Sequence, residues 1–219
     1  MEESKTPLIA IVGPTASGKT SLAVELCKHY NAEAVSCDSM QIYKGMDIAT
    51  AKPTAEEMQG IPHHLIGFVS PDEPFSVAKY CEMAKAAISD ISSRGKKAVL
   101  VGGTGLYYSS LVDNIEFLPE ETDFEYRENL RKRAEIEGAQ VLLDELEKVD
   151  HEAAKQLHVN NIGRIIRALE IHHTTGKTKS IQNELSRNTP SPFEITAICL
   201  DARDRQFLYD RINKRVDIM

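Results

Sequence analysis

A doubly wound α/β sheet carrying an all-helical insertion is the fold class predicted for this chain of 219 residues, and three observations predict it. Four short apolar runs, LIAIVG (8–13), AEAVSCD (32–38), KAVLVGG (97–103) and ITAICLD (195–201), are rich in Val and Ile and bounded by Gly or Asp, as strands buried on both faces of a parallel sheet are. Segments with helical spacing alternate with the runs, which is the signature of strand–helix–strand units. From about Asp123 to Thr175 the alternation stops, and the chain is charged, helical in spacing and free of strand candidates.

Each element follows in turn. The first run leads through GPTASGKT (13–20) into SLAVELCKHY, which reads as a helix. The second ends in a long polar stretch, SCDSMQIYKGMDIATAKP, of the kind that is usually functional in a compact domain. Next, Val77, Tyr80, Cys81, Ala84, Ala87, Ile88 and Ile91 recur at helical spacing, with Ser76 placed to cap the start and Gly95 the end. After the third run the pattern changes beyond NIEFLPEETD, and SRNTPSP (186–192) marks the return to the fourth. The expected division is a catalytic core of residues 1–118 with 190–219, and a helical insertion of 119–189. The last stretch, DRQFLYDRINKRVDIM, has the spacing of an amphipathic helix with Phe207, Leu208, Ile212 and Val216 on its apolar side, and it stops without a cap, as a truncated chain would.

Composition limits the function. With 42% hydrophobic and 27% charged residues the chain has enough apolar material for a sizeable core. The polar, acidic MEESKTP is no signal peptide and no run is long enough to span a membrane, so a cytoplasmic protein is expected; a monomer is expected as well. A net charge of −7 argues against non-specific coating of nucleic acid, yet leaves room for a local basic surface. Cys27, Cys37, Cys81 and Cys199 lack C-x-x-C spacing, and all four read as buried or half-buried thiols. His63-His64 and His172-His173 are adjacent pairs that no carboxylate or Cys set completes, so no structural metal is expected from them.

The pattern G-x-x-x-x-G-K-T between strand and helix is specific for a phosphate-binding loop. Gly13 and Gly18 let the backbone N–H groups of Gly13, Pro14, Thr15, Ala16, Ser17 and Gly18, proline excepted, turn toward phosphate oxygens, and the following helix adds its dipole. Lys19 supplies a point charge and the Thr20 hydroxyl a ligand for Mg²⁺, the one metal expected. The core is therefore read as P-loop NTPase-like. Hydrolysis is less well supported: KAVLVGG ends in glycines and Thr104 rather than an acid, and Asp201 reads first as a turn residue. Asp38, at the carboxyl end of the second strand, stands beside the cradle, where ligands of open α/β sheets bind; it suits a base or a substrate anchor, with a simple turn cap as the alternative.

GPTASGKT, SCDSMQIYKGMDIATAKP, PHHL, VGGTGLYYSSL, GRIIRALE and DRQFLYDRINKRVD occur in the order and approximate spacing of the tRNA dimethylallyltransferase (tRNA isopentenyltransferase) family, which this chain resembles from residue 8 to its end. The family's chain normally runs further, so this one is similar to its amino-terminal portion. The resemblance implies transfer of a dimethylallyl group from dimethylallyl diphosphate to N6 of the adenine adjoining the anticodon of tRNAs that read codons beginning with U, with diphosphate as leaving group. It identifies Asp38 as general base, Thr20 with Mg²⁺, Lys19 and Arg215 as partners of the diphosphate, and Thr104 as a catalytic and tRNA-facing residue. Without it, Arg215 reads as a solvated helix charge and Thr104 equally as a turn hydroxyl. The same resemblance implies tRNA contacts at Asp38, Ser39, Met40, Gln41, Thr104 and Arg127, and along Gly163, Arg164, Ile165, Ile166 and Arg167. Arg164 and Arg167 share a helix face, while Ile162, Ile165, Ile166 and Leu169 pack elsewhere. The rival readings are a P-loop small-molecule kinase, an adenylate isopentenyltransferase acting on free AMP or ADP, and a nucleotide-switched interaction module without catalysis.

Overall fold

The computed structural model describes residues 5–48, 50–117 and 123–218; the expected division at 118/119, the first four residues, Ala49 within GMDIATAKP, and Met219 lie outside them. Contacts group the chain into two compact units, Met1–Ile115 with Pro190–Met219, and Glu116–Thr189.

The first unit is built on a parallel five-stranded sheet. Its strands are β1 (Thr6–Val12), β2 (Ala32–Ser36), β3 (His63–His64), β4 (Lys97–Gly102) and β5 (Phe193–Cys199), in the order β3-β2-β4-β1-β5. Four of these are the apolar runs read as strands. The fifth, β3, has two residues paired with Ala34 and Val35, too few to leave a periodicity in the sequence. Alternate residues of the sheet enter different cores. Leu8, Ala10, Val35 and Leu100 pack with Tyr80, Cys81, Ala84 and Ile88 of α3 (Val77–Ser93) and with Tyr107 and Leu111 of α4 (Gly105–Val112). Ile11, Ala34 and Val99 pack on the other face with Ala23 and Cys27 of α1 (Lys19–Tyr30). Ser76 accepts from the Lys79 N–H and caps α3, as expected, and Gly95 just beyond its end has φ 72°. Between β2 and β3 lies the short α2 (Ala55–Met58).

Two expectations fail here. Cys199 is exposed rather than buried, because β5 is the sheet's edge strand and most of its side chains lie open; the other three cysteines are buried. In α10 (Arg205–Ile218), Phe207, Leu208 and Ile212 are half-buried but Val216 is 63% exposed, so the apolar side stops short of it.

Glu33 is the one acidic side chain turned into the first unit's β2 interior, its side chain only 3% exposed. Arg94 reaches it with two hydrogen bonds, and Lys96 and His64 with one each. The Arg94 hydrogen bonds hold its carboxyl well below the usual carboxylate range against the opposing effect of burial, with Lys96 and His64 adding to them. His64 is thereby a structural partner that fastens β3 to β2.

The second unit is helical throughout its described residues: α5 (Phe124–Glu137), α6 (Ala139–Val149), α7 (His151–Lys155), α8 (Ile162–Thr175) and α9 (Lys179–Leu185). Leu130, Leu142, Leu146, Ala154, Ile165, Ile166 and Leu169 form its core. Ile162, expected to pack, is instead 37% exposed at the first turn of α8. Glu170 is fully buried and accepts from Arg127 (2.7 Å) and Arg167 (2.5 Å), and also from the Asp123 N–H. Burial alone would raise its pKa, but the two guanidinium hydrogen bonds outweigh it and lower the value.

Both carboxylates therefore have folded-state pKa values below the unfolded ~4.3 for Glu. Their stabilisation is fully present above that value and is lost as pH falls through the folded values. Thermal melts between pH 7 and pH 3 should show Tm falling steeply only below about pH 4. Glu33→Gln should lower stability at neutral pH by about 2 kcal/mol and flatten this acid limb. The loss stays modest because Arg94 and Lys96 are 39% and 33% exposed and can rehydrate. A melt of Glu33→Gln that matches wild type at both ends would remove this anchor from the account.

Candidate active site

The cradle is the turn from β1 to α1. Gly13 has φ 150°, and a Cβ there would sit 2.4 Å from the Leu200 carbonyl oxygen, so the chain can pass β5 only with glycine at this point. Pro14 and Thr15 lead to Ala16, a non-glycine residue held at φ 63°. The Ser17 N–H leans on the Pro14 carbonyl (3.4 Å), while the Ser17 hydroxyl is buried with no partner among the described residues. Gly18 is the N-cap of α1 and provides no side-chain cap, leaving the helix's first amides for another acceptor. Uncapped amides, an orphaned buried hydroxyl and a positive helix end together suit an anion.

Lys19 Nζ donates to the carbonyls of Gly13 (2.9 Å) and Pro14 (2.7 Å), bracing the loop from inside. Burial lowers its pKa first and the nearby Arg215 lowers it further, while the Asp38 carboxylate pulls it back up. Lys19, Arg215 and Asp38 thus share one electrostatic neighbourhood, although they come from α1, α10 and the end of β2. The Thr20 hydroxyl, in the first turn of α1, makes no hydrogen bond among the described residues.

Asp38 follows β2 by two residues. Its Oδ1 accepts from the N–H groups of Met40 (2.8 Å) and Gln41 (3.2 Å), which leaves Oδ2 without a hydrogen bond among the described residues. The turn-cap role and a reactive role are therefore compatible, one on each oxygen. Thr104 is the N-cap of α4 at the end of β4, and its Oγ1 accepts from the Ser39 N–H at 2.9 Å. Cys37, the residue before Asp38, is buried, and burial pushes its thiol up to about 12, so it offers no thiolate nucleophile.

The polar stretch after Asp38 is cross-braced. Gln41 Nε2 donates to the Thr50 and Ala51 carbonyls, and Lys52 Nζ to the Tyr43 carbonyl and to Asp47. Arg215 Nη2 donates to the same Ala51 carbonyl at 3.0 Å. One turn earlier on α10, Arg211 Nε donates to the Ala16 carbonyl at 2.7 Å. Arg211 is a neighbour of the cradle that the sequence reading passed over; the signal available was its i, i+4 spacing from Arg215, which puts the two on one helix face. Met40 is exposed, and Asp201 makes only a local turn, its Oδ1 accepting from the Ala202 N–H.

The remaining predicted residues lie in the helical unit. Arg127, Arg131, Gly163, Ile166 and Arg167 line a groove of about 250 Å³. Arg127 and Arg167 are tied to Glu170 from beneath, which fixes their guanidinium groups along the groove. Arg164 is exposed. Ile165 is a correction: it is fully buried in the core, because α8 turns that face inward, and has no side-chain surface to offer a ligand. His173 stacks on Tyr126 at 4.0 Å and His64 pairs with Glu33, so each histidine pair contributes one member to packing. Among the described residues no group of three or more His, Cys, Asp or Glu is placed to hold a metal, and no helix is long and apolar enough to cross a membrane.

Comparison with known proteins shows the family to which the chain belongs. Residues 41–219 match the family model described as IPP transferase. A protein of Thermoanaerobacter sp. (strain X514) named tRNA dimethylallyltransferase is 52% identical over 213 residues, covering 97% of this chain and 68% of its own length. The tRNA dimethylallyltransferase of Bacillus subtilis (strain 168) is 48% identical over 219 residues, covering 100% and 69%. These two alignments also take in the cradle and Asp38, which the family model does not reach. Among solved structures, the full-length tRNA isopentenylpyrophosphate transferase of Bacillus halodurans is 45% identical with a TM-score of 0.63, covering 98% of this chain and 66% of that one. A eukaryotic dimethylallyltransferase described as acting on tRNA is 28% identical with a TM-score of 0.77, covering 97% and 53%. The chain spans about two thirds of the length of its bacterial relatives.

Proposed function

Because this chain belongs to the IPP transferase family, whose relatives are prenyltransferases named for transferring a dimethylallyl group to tRNA, we propose that residues 13–20 cradle the diphosphate of dimethylallyl diphosphate and that Asp38 activates the acceptor adenine. The observation that carries the reading is the turn from β1 into α1, where Gly18 leaves the first helical amides uncapped and the buried Ser17 hydroxyl has no partner among the described residues, with the unengaged Oδ2 of Asp38 just beyond β2.

The chemistry follows from the charges. An exocyclic amine is a weak nucleophile, and a base within reach makes it a better one. N6 of adenine forms a bond to the allylic carbon as that carbon's bond to the diphosphate oxygen breaks. The bonding pair leaves with the diphosphate, and the N6 proton passes to Asp38 Oδ2. The α1 amides, Lys19 and Arg215 stabilise the negative charge that develops on the leaving group. The Thr20 hydroxyl, which makes no hydrogen bond among the described residues, would be the group that holds a Mg²⁺ ion at the cradle. When bound, Mg²⁺ neutralises part of the diphosphate charge. Thr104 holds the Ser39 backbone beside Asp38 and so orients the base and the acceptor's entry.

The acceptor is read as tRNA, with the adenine next to the anticodon displaced from its stack to reach Asp38. The groove of Arg127, Arg131 and Arg167 suits phosphates, as does Arg164 on the same α8, while Ser39, Met40 and Gln41 directly follow Asp38 in the chain. A cytoplasmic location goes with that acceptor.

The test supplies the protein with Mg²⁺ and donor labelled in its allyl group, offering unmodified tRNA in one reaction and AMP in another. Label should enter tRNA and not AMP; label in AMP alone would move the reading to an adenylate transferase. Lys19→Ala should raise the donor KM by about 30- to 100-fold, the range for losing a charged hydrogen bond to an anion, as donor-dependence curves would show.

A further inference from the structure

The site described above leaves Arg211 unexplained. It is exposed on α10, where a guanidinium would ordinarily stay in water, yet its Nε donates to the Ala16 carbonyl at 2.7 Å. One of its terminal nitrogens lies 3.8 Å from where a Cβ on Gly18 would be, so the group lies along residues 16–18. The residue it grips is in an unusual conformation. Ala16 has φ 63°, and a non-glycine residue stays in the left-handed region only where its surroundings hold it there.

The Ala16–Ser17 peptide unit is thus tied at both ends, its C=O to Arg211 and its N–H to the Pro14 carbonyl. The orphaned Ser17 hydroxyl hangs from the same unit. A turn of this peptide would swing an electronegative carbonyl toward the place where an anion binds and carry the Ser17 hydroxyl away. Arg211 is itself held: the Phe207 ring has the Arg203 guanidinium 4.6 Å from its centroid and that of Arg211 at 5.7 Å.

We propose that Arg211 is a positioning residue of the phosphate loop, keeping the Ala16–Ser17 peptide in the anion-accepting orientation through the Ala16 carbonyl, while Arg215 one turn later acts on the leaving group itself. The proposal rests on the diphosphate reading of the cradle and adds a second function to the same face of α10.

The experiment titrates the protein with inorganic pyrophosphate and Mg²⁺ by calorimetry, using wild type, Arg211→Ala and Arg211→Lys, with a thermal melt of each. Arg211→Ala is expected to bind about tenfold more weakly, Arg211→Lys to recover part of that loss, and all three to melt within ~2 °C of one another, since an exposed hydrogen bond contributes little to global stability. Steady-state kinetics should show the donor KM rising about tenfold with kcat at saturating donor changed less than twofold. Equal pyrophosphate affinity in wild type and Arg211→Ala would overturn the proposal alone. A loss beyond a hundredfold would overturn it in favour of direct contact with the anion, and a large drop in melting temperature would overturn it in favour of a role in folding. No binding by wild type would instead overturn the diphosphate reading on which it rests.

Discussion

Replacing Asp38 by Asn should lower kcat by a factor of about 10² to 10⁴, the usual contribution of a positioned general base, while leaving pyrophosphate affinity within about twofold of wild type. Asn is more informative than Ala because of how Asp38 is held. Its Oδ1 accepts from the Met40 and Gln41 N–H groups, and an amide oxygen can do the same, so the turn that starts the polar loop survives. The substitution removes the proton acceptor at the second oxygen and little else. Asp38→Ala should lose as much in kcat and, in addition, raise the KM for tRNA, because Met40 and Gln41 lose their anchor. Single-turnover rates with saturating donor separate the two effects. Asp38→Asn turning over at more than a tenth of the wild-type rate would remove Asp38 as the base.

Gly102→Ala should be the most damaging small substitution in the sheet. Gly102 closes β4 where that strand runs against Cys37, and an added Cβ would fall 2.1 Å from the Cys37 carbonyl oxygen and 2.4 Å from its carbon. Both are backbone atoms, pinned by the Cys37 N–H to the Val101 carbonyl (2.8 Å) and by the Thr104 N–H to the Cys37 carbonyl (3.2 Å). No side chain can yield. The β2–β4 pairing must open just where Asp38 and Thr104 emerge, at a cost of about 3 kcal/mol or more, which for a chain of this size lowers Tm by roughly 10 °C. Gly103→Ala is the control: its added Cβ would meet nothing nearer than the Gly13 carbonyl oxygen at 3.6 Å and Lys19 Nζ at 3.8 Å, so its melt should stay close to wild type. Similar melting of the two variants would mean that the close approach of β4 to Cys37 is not a constraint.

What could be read from the sequence differs from what could not by the range of the interactions involved. β1, β2 and β4 were legible because a strand buried in a parallel sheet needs a continuous apolar run, β5 because its apolar run persists although it is an edge strand, and α3 because one buried face imposes its period on 17 residues. β3 has two residues and no pattern to show. The phosphate loop was legible because its glycines and Lys19 are local in sequence. The buried Glu33 and Glu170 were not: among many charged residues, nothing local distinguishes a carboxylate held by Arg94, 61 positions away, from one in water. Arg211 escaped for the same reason, since its partner Ala16 lies 195 positions earlier. The exposure of Cys199 depends on β5 having one sheet neighbour, β1, a fact of topology that composition does not carry. Ile165 and Ile166, neighbours in GRIIRALE, differ in that only the second borders the arginine groove, and motif matching alone treats them alike.

The central claim is that the cradle holds a leaving group rather than a group to be transferred. The most direct measurement uses dimethylallyl diphosphate carrying one isotope in the allyl carbons and phosphorus-32 in the diphosphate, with Mg²⁺ and unmodified tRNA. The predicted result is carbon label in tRNA matched mole for mole by phosphorus label in free pyrophosphate. Phosphorus label in the tRNA, or its release as single phosphate in step with turnover, would contradict the account and make the cradle a site of phosphoryl transfer or hydrolysis.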